Sequence, residues 1–380
     1  MKKVLLIDPR GVGSNGNYTK GLLYGLLKST EVSIATNYHF NDEVNGESYP
    51  SYRIFFRYSE TMQQNAARKF IRGIEYCIAY KKIIKLIKKE KFDIVHINWL
   101  LMYKFDSKFL LKIHSMGLKI VYTAHNVLPH IKGSSNKEQL RRIYEIVDQI
   151  IVHGIEVKRE FLNEFPEFQS KLYVQKHGCN CMPVTRYEES LIDDEIRCLI
   201  NKYDERFLFF GNIFYNKGVD VLLNYWANSN IAKDSLLIIA GRKRESYKEL
   251  EEAEKRAMGK KNILYLDYFI DDNLLNYLIS NSSIILLPYR HASMSGVVFT
   301  AADFAKPILC TSAGALNEYL TDKEDSFISS DLEQFLLILE KCIKEAGNLD
   351  WCKMGKNLQY NIYEKCNWVS IVQKMVDECY

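Results

Sequence analysis

One segment constrains the fold more than any other, because it joins a strand pattern to a helix pattern through a loop that carries a cation. The apolar run Phe207–Phe210 stops at Gly211, and Lys217 and Gly218 follow in a short loop. Apolar residues then recur at helical spacing: Val219, Leu222, Leu223 and Trp226. The pattern predicts a strand, a loop and a helix. Free N–H groups and the partial positive charge of a helix N-terminus attract anions, and a lysine beside them suits phosphate.

Strand patterns alternate with helical patterns along both halves of the chain. Short, continuous apolar runs between helical segments are typical of parallel strands covered on both faces. The alternation therefore predicts an α/β fold with a doubly wound parallel sheet, formed twice. The predicted strands are Val4–Asp8, Ile94–Ile97, Ile120–Thr123, Ile150–His153, Leu172–Gln175, Phe207–Phe210, Leu236–Ala240, Ile263–Leu266, Ile284–Leu287 and Ile308–Cys310.

The length of the chain fits two domains. Its 380 residues exceed the size of one ordinary domain. The segment between His177 and Tyr203 is turn-like and then charged, so we expect the domain boundary there. Close to Tyr380, apolar residues at helical spacing predict a final amphipathic helix: Trp368, Ile371, Val372, Met375 and Val376.

Composition argues against several classes of protein. The net charge of +4 comes from 51 basic and 47 acidic residues and does not favour a nucleic-acid partner. No apolar run reaches the roughly 18 residues of a membrane span. Val4–Asp8 is too short for a signal peptide and fits a first strand. The nine cysteines are scattered, so we expect reduced thiols in a cytoplasmic protein, with neither disulfides nor a zinc site.

A glycine-rich loop follows the first predicted strand, at the carboxyl end where doubly wound sheets bind ligands. Gly11, Gly13 and Gly16 let the backbone approach a ligand closely, and Asn17 leads into a helix. The spacing is not a full dinucleotide fingerprint, because no acidic residue ends a second strand about 20 residues later. A phosphate-binding loop and a tight structural turn both fit the pattern.

Two histidines also follow predicted strands of the first half. His125 and Asn126 come directly after Ile120–Thr123, where they could hydrogen-bond to a polyol, and the histidine could move a proton. His177 follows Leu172–Gln175. It is either a site residue or part of the turn that joins the domains.

Two further loops of the second half follow predicted strands. After Ile284–Leu287, the sequence carries Arg290, Ser293 and Ser295, and then Gly296 and Val297. Ser295 suits a helix N-cap, and the next amides would be first-turn donors aimed outward. This predicts a second phosphate-directed helix end beside that of Lys217.

The loop after Ile308–Cys310 contains Glu318. This carboxylate either contacts sugar or ribose hydroxyls or lies in solvent at a helix start.

The segment from Gln64 to Lys91 breaks the otherwise even charge pattern. Its basic residues are Arg68, Lys69, Arg72, Lys81, Lys82, Lys85, Lys88, Lys89 and Lys91, against Glu75 and Glu90. Isoleucines run through it at helical spacing. A surface helix with one face on the core fits this pattern, and so does a basic amphipathic helix on an anionic membrane.

The ordered set of loops resembles glycosyltransferase family 4 enzymes of the GT-B fold, over nearly the whole chain. The matching motifs of the second half are Phe210–Asn212 with Lys217–Gly218, Pro288–Arg290 with Ser295–Val297, Lys306–Ile308, and Gly314–Glu318. Those of the first half are Asp93–His96, Thr123–Asn126 and His177–Gly178. With Asn212 and a serine-rich loop at these positions, the chain resembles the bacterial subset of the family that builds surface polysaccharides.

This resemblance implies two Rossmann-like domains that face a cleft, with the final helix returning to the first domain. We expect an acceptor-side domain of residues 1–180 with 366–380, and a nucleotide-sugar-binding domain of residues 181–365. The nucleotide sugar is a substrate, so no cofactor is expected. No Asp-x-Asp pair ends a predicted strand, so we expect no metal at the diphosphate.

Together with the loop positions, the resemblance assigns roles to individual residues. Lys217 and His125 are the expected catalytic residues: the lysine binds the donor diphosphate, and the histidine lies near the donor sugar. The expected donor-binding residues are Gly13, Gly16, Asn17, Gly211, Asn212, Lys217, Arg290, Ser293, Ser295, Gly296, Val297 and Glu318. Asn126 and His177 are expected on the acceptor side.

The sequence departs from the family pattern at three positions. Asn212 stands where an arginine is frequent, and Ser293 and Ala301 stand where many members carry two glutamates. Those glutamates would contact sugar and ribose hydroxyls, so Ser293 and Arg290 are candidates to replace them. The family retains the anomeric configuration, and retention is the expectation here; if the reaction inverts, His125 is the first candidate base.

The expected function is transfer of a hexose from a UDP- or GDP-sugar to a saccharide or polyprenyl-linked saccharide in bacterial polysaccharide synthesis. We expect a cytoplasmic protein. Contact with the inner face of the membrane through Arg68 to Lys91 is one of the two interpretations of that basic segment. Two alternatives remain. The first is a non-catalytic GT-B subunit, which the missing glutamates suggest. The second is a nucleotide-sugar 2-epimerase, but the loops after the predicted strands do not contain the acid/base carboxylates that such an enzyme uses.

Overall fold

In the computed structural model, the backbone forms two parallel sheets, each in its own unit. The structure describes residues 1–12, 14–128, 134–179, 187–292 and 295–380, with Ser14, Asn15, Ser134 and Ser135 described by their backbone alone. One unit consists of Met1–Asn180 with Cys366–Tyr380, and the other of Cys181–Lys365.

A seven-stranded sheet, parallel at every pairing, forms the first unit. Its strands are β1 (Lys3–Asp8), β2 (Glu31–Asn37), β3 (Ser51–Phe55), β4 (Ile94–Ile97), β5 (Lys119–Thr123), β6 (Gln149–Val152) and β7 (Leu172–Val174). Their order across the sheet is β3-β2-β1-β4-β5-β6-β7. Adjacent parallel strands need a crossover connection, which explains the alternation of strand and helix patterns in the sequence.

Helices cover both faces of this sheet. They are α1 (Ser14–Ser29), α2 (Ala66–Glu90), α3 (Tyr103–His114), α4 (Ser134–Ile146) and α5 (Ile155–Glu164), followed by a 3-10 helix at Pro166–Lys171. Alternate residues of β1 point to opposite faces. Leu5 and Ile7 pack in the core under α2 to α5, whereas Val4 and Leu6 pack in the core under α1.

The second unit repeats the design with six parallel strands. They are β8 (Glu205–Phe210), β9 (Ser235–Ala240), β10 (Ile263–Leu266), β11 (Ile284–Leu287), β12 (Ile308–Thr311) and β13 (Ser326–Ser329), in the order β10-β9-β8-β11-β12-β13. The strands β8, β9, β11 and β12 are almost entirely buried, as their continuous apolar runs predict.

Helices of the second unit connect these strands in the same manner. They are α6 (Asp194–Asn201), α7 (Val219–Asn228), α8 (Lys248–Ala257), α9 (Asp272–Ser280), α10 (Val297–Asp303), α11 (Leu332–Lys344) and α12 (Trp351–Lys365). Short 3-10 helices lie at Glu189–Leu191, Tyr215–Lys217, Ile231–Asp234, Gly314–Glu318 and Ala346–Asn348. Asp193, Asp271 and Asp331 each accept a hydrogen bond from a first-turn amide and so cap α6, α9 and α11.

The final helix, α13 (Trp368–Glu378), belongs to the first unit and packs on α1. A β-carbon added to Gly25 of α1 would lie 2.6 Å from Val372 Cγ2 and 2.7 Å from the Trp368 carbonyl oxygen. One added to Gly178 would lie 2.2 Å from the Trp368 ring. Glycine at both positions therefore lets α13 approach, and the expected return of this helix to the first domain is confirmed.

The fold class that the sequence predicts is confirmed, and each predicted strand is present. The strands that the sequence pattern does not reveal are β2, β3 and β13. Their apolar runs are broken by polar residues, since β2 contains Ser33 and Thr36 and β13 has a serine at each end. None of the described helices is both long enough and apolar enough to span a bilayer.

The close contact of α1 with α13 predicts a steric effect at Gly25. Gly25→Ala should lower the free energy of unfolding by about 1–3 kcal/mol, because the new methyl group meets backbone that only a shift of α13 can move. Gly73→Ala is the matched control, since nothing lies within 4 Å of its added β-carbon in α2. The control should stabilise by up to about 1 kcal/mol. Calorimetric unfolding of both variants would test this, and equal melting temperatures would contradict the tight packing of α13.

Candidate functional site

Both sheets have their first strand in the middle, which creates a crevice at the same place in each. In the first unit, β1 lies between β2 and β4, and in the second, β8 lies between β9 and β11. The connections on the two sides of such a strand run in opposite directions, so the loops at its carboxyl end separate and leave room for a ligand. The loops after β8 and β11, and those after β1 and β4, are therefore the candidate sites, each within its own unit.

A glycine turn and two neighbouring loops form the crevice of the second unit. Gly211 ends β8 with a φ of 118°, a conformation that favours glycine. The loop after it pairs with the loop after β9 through a bridge between Ile213 and Lys243. This pairing brings Arg244 beside Asn212, where its Nε donates a 3.0 Å hydrogen bond to the Asn212 Oδ1 atom. Arg244 is exposed, and its guanidinium forms no ion pair within the described part of the chain.

Lys217 lies at the end of the 3-10 helix Tyr215–Lys217, directly before α7. Gly218 follows with a φ of 68°. A β-carbon at this position would lie 2.0 Å from the Pro288 carbonyl oxygen, so the loop of Lys217 packs closely against the start of the loop after β11. The Lys217 ammonium lies 3.6 Å from the centre of the Tyr289 ring. Burial lowers the pKa of Lys217 to about 8. The site thus holds a partly desolvated cation that has no carboxylate partner among the described residues.

Arg290 is engaged with Asp220. Its two terminal nitrogens donate to the two Asp220 oxygens at 2.8 and 2.6 Å, and one also donates to the Tyr215 carbonyl at 2.8 Å. Tyr247 donates a further 2.8 Å hydrogen bond to Asp220. Because Asp220 is buried in α7, this network ties the loop of Lys217 to the loop after β11. The charge of Arg290 is therefore balanced by Asp220 within the second unit.

The helix end at α10 differs in one detail from the prediction. The N-cap is Gly296, and the prediction that Ser295 caps the helix is wrong. The Ser295 hydroxyl is buried and lies 3.1 Å from the Tyr289 hydroxyl, at hydrogen-bonding distance. Val297 is the first residue of α10. Ser293 lies outside the described residues.

Two predicted positions near this crevice have different surroundings. Glu318 ends the 3-10 helix Gly314–Glu318 after β12 and is half-buried. Ala301, which stands where the resemblance expects a glutamate, is fully buried in α10. A carboxylate at Ala301 would therefore need a different packing of α10.

In the first unit, four side chains surround the ring of Tyr18 at the carboxyl end of the sheet. The ring centres of His125, His153, His177 and Trp368 lie 4.7, 5.2, 5.1 and 5.1 Å from that of Tyr18. The three histidines follow β5, β6 and β7. Parallel strands end at one edge of the sheet, which explains how residues far apart in sequence meet here. We refer to Tyr18, His125, His153 and His177 as the histidine cluster.

Burial keeps the histidine cluster neutral. It lowers the pKa of His153 to about 3 and that of His177 to about 4. The pKa of His125 is lowered well below its usual value, first by burial and then by the neighbouring histidines. The His125 ring stacks on Trp99 at 4.1 Å, and its Nε2 atom has no hydrogen-bond partner in the described ranges. A neutral histidine with an open nitrogen can donate or accept a hydrogen bond from a ligand hydroxyl.

The glycine loop after β1 lies against a buried polar network. Asp8 ends β1 and accepts hydrogen bonds from the Thr19 hydroxyl and the Arg10 amide. Burial raises the pKa of Asp8 to about 6. A β-carbon at Gly16 would lie 3.1 Å from the Gly11 carbonyl, so the loop packs closely on the first turn of α1.

Of the other residues predicted for the first unit, Asn17 is exposed on α1, and Asn126 is exposed beside His125. Gly13 lies outside the described residues.

Several residues of these crevices were missed by the sequence reasoning, although one signal could have found them. Trp99, His153 and Gln175 each come within two residues of a strand end, and Arg244 lies in the loop after β9. The same strand-end rule that selects His125 selects them. The described residues contain no group of three or more His, Cys, Asp or Glu side chains placed to hold a metal ion.

Comparison with known families matches both units of the chain. The model described as Glycosyl transferases group 1 matches residues 204–345, and the model described as Glycosyltransferase Family 4 matches residues 65–181. The first of these ranges contains the crevice of Lys217, and the second contains His125, His153 and His177. The two matches together extend over most of the chain.

Two relatives come from bacteria. An uncharacterized 41.2 kDa protein in the cps region of Klebsiella pneumoniae is 23% identical over 253 residues, 63% of this chain and 66% of that protein. A GDP-mannose:glycolipid 4-beta-D-mannosyltransferase of Xanthomonas campestris pv. campestris is 22% identical over 298 residues, 72% of this chain and 80% of that enzyme.

The fold is also similar to that of a solved structure, the Anabaena protein HepE in complex with UDP and glucose. The TM-score is 0.69 at 15% sequence identity, and the likeness covers 99% of each chain. At this identity the likeness supports the arrangement of sheets and helices in each unit.

The neutral histidines predict that stability falls in mild acid. Unfolded histidines bind protons near pH 6.5, whereas His96 and His153, with native pKa values of about 3, stay neutral in the fold. The unfolded state therefore binds more protons below pH 6.5, and each such proton lowers stability by about 1.4 kcal/mol per pH unit. Asp8, whose pKa is raised to about 6, acts in the opposite direction and reduces the slope between about pH 6 and 4.

Hydrogen exchange of the β4 to β6 amides at pH 7, 6 and 5 would measure this effect within the first unit. His153→Gln should reduce the slope of stability against pH by the contribution of one proton. This change in slope is expected whatever effect the substitution has on stability at pH 7. The exposed His39 is the control, and His39→Gln should leave the slope as it is. Equal slopes in both variants would mean that His153 is not neutral in the fold.

Proposed function

Because this chain is a glycosyltransferase of the group 1 type with the GT-B fold, we propose that it transfers a hexose from a UDP- or GDP-sugar to a saccharide or lipid-linked saccharide. The proposed setting is the synthesis of a bacterial surface polysaccharide. The observation that carries the proposal is the cation of Lys217, which lies partly desolvated at a helix entrance without a carboxylate partner among the described residues.

In the proposed donor site, Lys217 meets the diphosphate of the nucleotide sugar. The glycine turn at Gly211 leaves space for the phosphates, and Arg244 adds a second cation beside Asn212. We propose that the amides of Gly296 and Val297, at the start of α10, also bind the diphosphate. Fixed positive groups stabilise the charge that develops on the leaving diphosphate as the glycosidic bond breaks. In this proposal they take the place of a metal ion.

Two comparisons support the choice of nucleotide. HepE was solved with UDP and glucose, and the Xanthomonas enzyme is named for GDP-mannose. The name of the latter also includes a glycolipid acceptor, and the Klebsiella relative is named for the cps region. These names support a UDP- or GDP-hexose, a lipid-linked acceptor and a capsule-type product for this chain.

We propose that the reaction retains the anomeric configuration. An inverting reaction needs a base, and the first candidate, His125, is a weak one, because its pKa lies well below the usual value. A neutral His125 serves better as a hydrogen-bond partner of a sugar hydroxyl. The relative named as a 4-beta-D-mannosyltransferase raises the inverting alternative. The anomeric proton coupling of the product, measured by NMR, distinguishes the two outcomes.

The donor site predicts a specific effect of Lys217→Ala. Turnover should fall by roughly 10²-fold or more, the scale of a lost oxyanion-type contact. Thermal stabilisation by UDP or GDP should be lost in the same variant, because a ligand that binds the native state raises stability by mass action. Arg244→Ala should weaken binding to a smaller extent. Lys233→Ala, an exposed lysine beyond α7, is the control. Wild-type turnover in Lys217→Ala would remove this residue from the mechanism.

The lowered pKa of Lys217 also predicts that nucleotide binding depends on pH. The lysine is charged below about pH 8 and loses its proton above it. The affinity for the nucleoside diphosphate should therefore fall above pH 8 in the wild type, and Lys217→Arg should abolish that fall. If UDP, GDP, CDP, TDP and ADP all leave the wild type without a thermal shift, the non-catalytic alternative is favoured.

We further propose that α2 rests on the inner face of the membrane. Its outer surface carries Phe70 and Ile74, which are 71% and 45% exposed, with Ile78 beside them. The exposed lysines Lys81, Lys82, Lys85 and Lys88 continue along the same helix without an ion pair among the described residues. An exposed apolar stripe beside a row of lysines suits an interface with anionic lipid.

This membrane contact predicts that charge reversal of α2 weakens lipid binding. Lys81→Glu/Lys82→Glu/Lys85→Glu should lose sedimentation with vesicles that contain anionic lipid, because the attraction becomes repulsion. The matched control reverses three exposed lysines of the second unit, Lys260→Glu/Lys353→Glu/Lys356→Glu. Equal binding of the two triple variants would exclude α2 as the contact surface.

A further inference from the structure

The first unit contains an open cavity of about 630 Å³ that no predicted site residue lines. It is lined by residues 100–105, at the end of the β4–α3 connection and the start of α3, and by Arg10 and Lys108. Asn136 and Gln139 of α4 complete it. Cavities of roughly 300–1,000 Å³ are the usual size for sites that bind small molecules. The position of this one, beside the crevice between β1 and β4, is where a doubly wound sheet binds ligands.

The cavity carries an unbalanced positive charge. Arg10, Lys104 and Lys108 line it, all are exposed, and none forms an ion pair within the described ranges. The acid closest in sequence, Asp106, is buried and accepts 2.8 Å hydrogen bonds from the Tyr76 hydroxyl and the Met102 amide. Asp8 accepts from the Arg10 amide and is likewise buried. Three cations around one cavity suit a ligand with more than one negative charge, such as a diphosphate.

Part of the remaining wall of the cavity is apolar, beside the polar side chains of Asn136 and Gln139. Leu100, Leu101 and Phe105 are buried or half-buried, whereas Met102 is 41% exposed although it is flanked by apolar neighbours. Small-molecule sites of this size are commonly lined by apolar side chains with a few polar groups among them. A ligand that fits both halves of the lining has an anionic group and a hydrocarbon chain.

Aromatic contacts connect this cavity with the histidine cluster. The Arg10 guanidinium lies 4.9 Å from the centre of the Trp99 ring, and Trp99 stacks on His125 at 4.1 Å with 8° between the planes. An anion bound to Arg10 would therefore be separated from His125 by the Trp99 ring. On the other side, α3 packs against α2 through Phe109 and Tyr80, whose ring centres are 4.5 Å apart.

We propose that this cavity, which we call the acceptor cavity, binds the diphosphate and the first hydrocarbon units of a lipid-linked acceptor. Arg10, Lys104 and Lys108 bind the diphosphate, and the hydrocarbon lies along Leu101, Met102 and Phe105. The lipid tail continues toward α2, and the sugar at the other end of the diphosphate extends toward His125. The proposal rests on the proposed glycosyltransferase function and names the acceptor class of that reaction.

The test compares three probes on the full-length chain by isothermal titration: farnesyl diphosphate, farnesol and inorganic pyrophosphate. Farnesyl diphosphate should bind, and each of the other two at least about tenfold more weakly, because each offers only one half of the required contacts. Lys104→Gln/Lys108→Gln should lower the affinity for farnesyl diphosphate by about tenfold or more, and Arg10→Gln should lower it by a similar factor. Lys112→Gln is the matched control, since Lys112 is an exposed lysine of α3 that does not line the cavity.

The outcomes separate this proposal from the donor site. Binding of UDP or GDP should be the same in Lys104→Gln/Lys108→Gln as in the wild type, and farnesyl diphosphate should bind equally well to Lys217→Ala. Unchanged affinity in the double variant, or no binding of farnesyl diphosphate, would overturn the acceptor cavity and leave the donor site untouched. Equal affinity for pyrophosphate and farnesyl diphosphate would overturn the lipid-linked occupant in favour of a soluble phosphate.

Discussion

Parallel strands covered by helices on both faces leave polar groups almost no place except the strand ends, and the rest of this structure depends on that constraint. The strands β8, β9, β11 and β12 consist largely of buried apolar residues. Their backbone groups are satisfied by the neighbouring strands, so their side chains serve packing alone. Charge and hydrogen-bonding capacity therefore collect in the loops beyond the strands. Since all strands of a sheet run the same way, those loops lie at one edge.

The few polar groups buried inside the first sheet are matched to partners that the chain supplies from distant segments. His96 of β4 hydrogen-bonds to the Tyr380 hydroxyl on one side and to Thr123 of β5 on the other, at 2.8 Å for the latter. Tyr380 lies just beyond α13, and Trp368 at the start of that helix touches Tyr18 of the histidine cluster. The helix α13 is thus a structural part of the first unit, and it helps to position the ring against which His125 packs.

Cations of this protein differ in how their charge is balanced. Arg290 forms a two-point ion pair with buried Asp220, and Arg72 pairs with Glu60 at 2.8 Å. Lys217 and Arg10 contact aromatic rings and form no ion pair among the described residues, and a ring attracts a cation without neutralising it. A cation held in this manner keeps its capacity for an anionic ligand. The proposed donor site and the acceptor cavity share this design, one in each unit.

The sequence alone determined the fold class, most of the strands and the loops that hold the crevices, because buried parallel strands carry continuous apolar runs that polar loops interrupt. Strands such as β2, whose buried residues include Ser33 and Thr36, have no such run and were not found. The tertiary structure alone decided which loop residues meet: Arg244 beside Asn212, Asp220 against Arg290, and Trp99 on His125. Strand order and loop pairing bring these partners together across wide separations in sequence, and no local pattern of residues encodes such contacts.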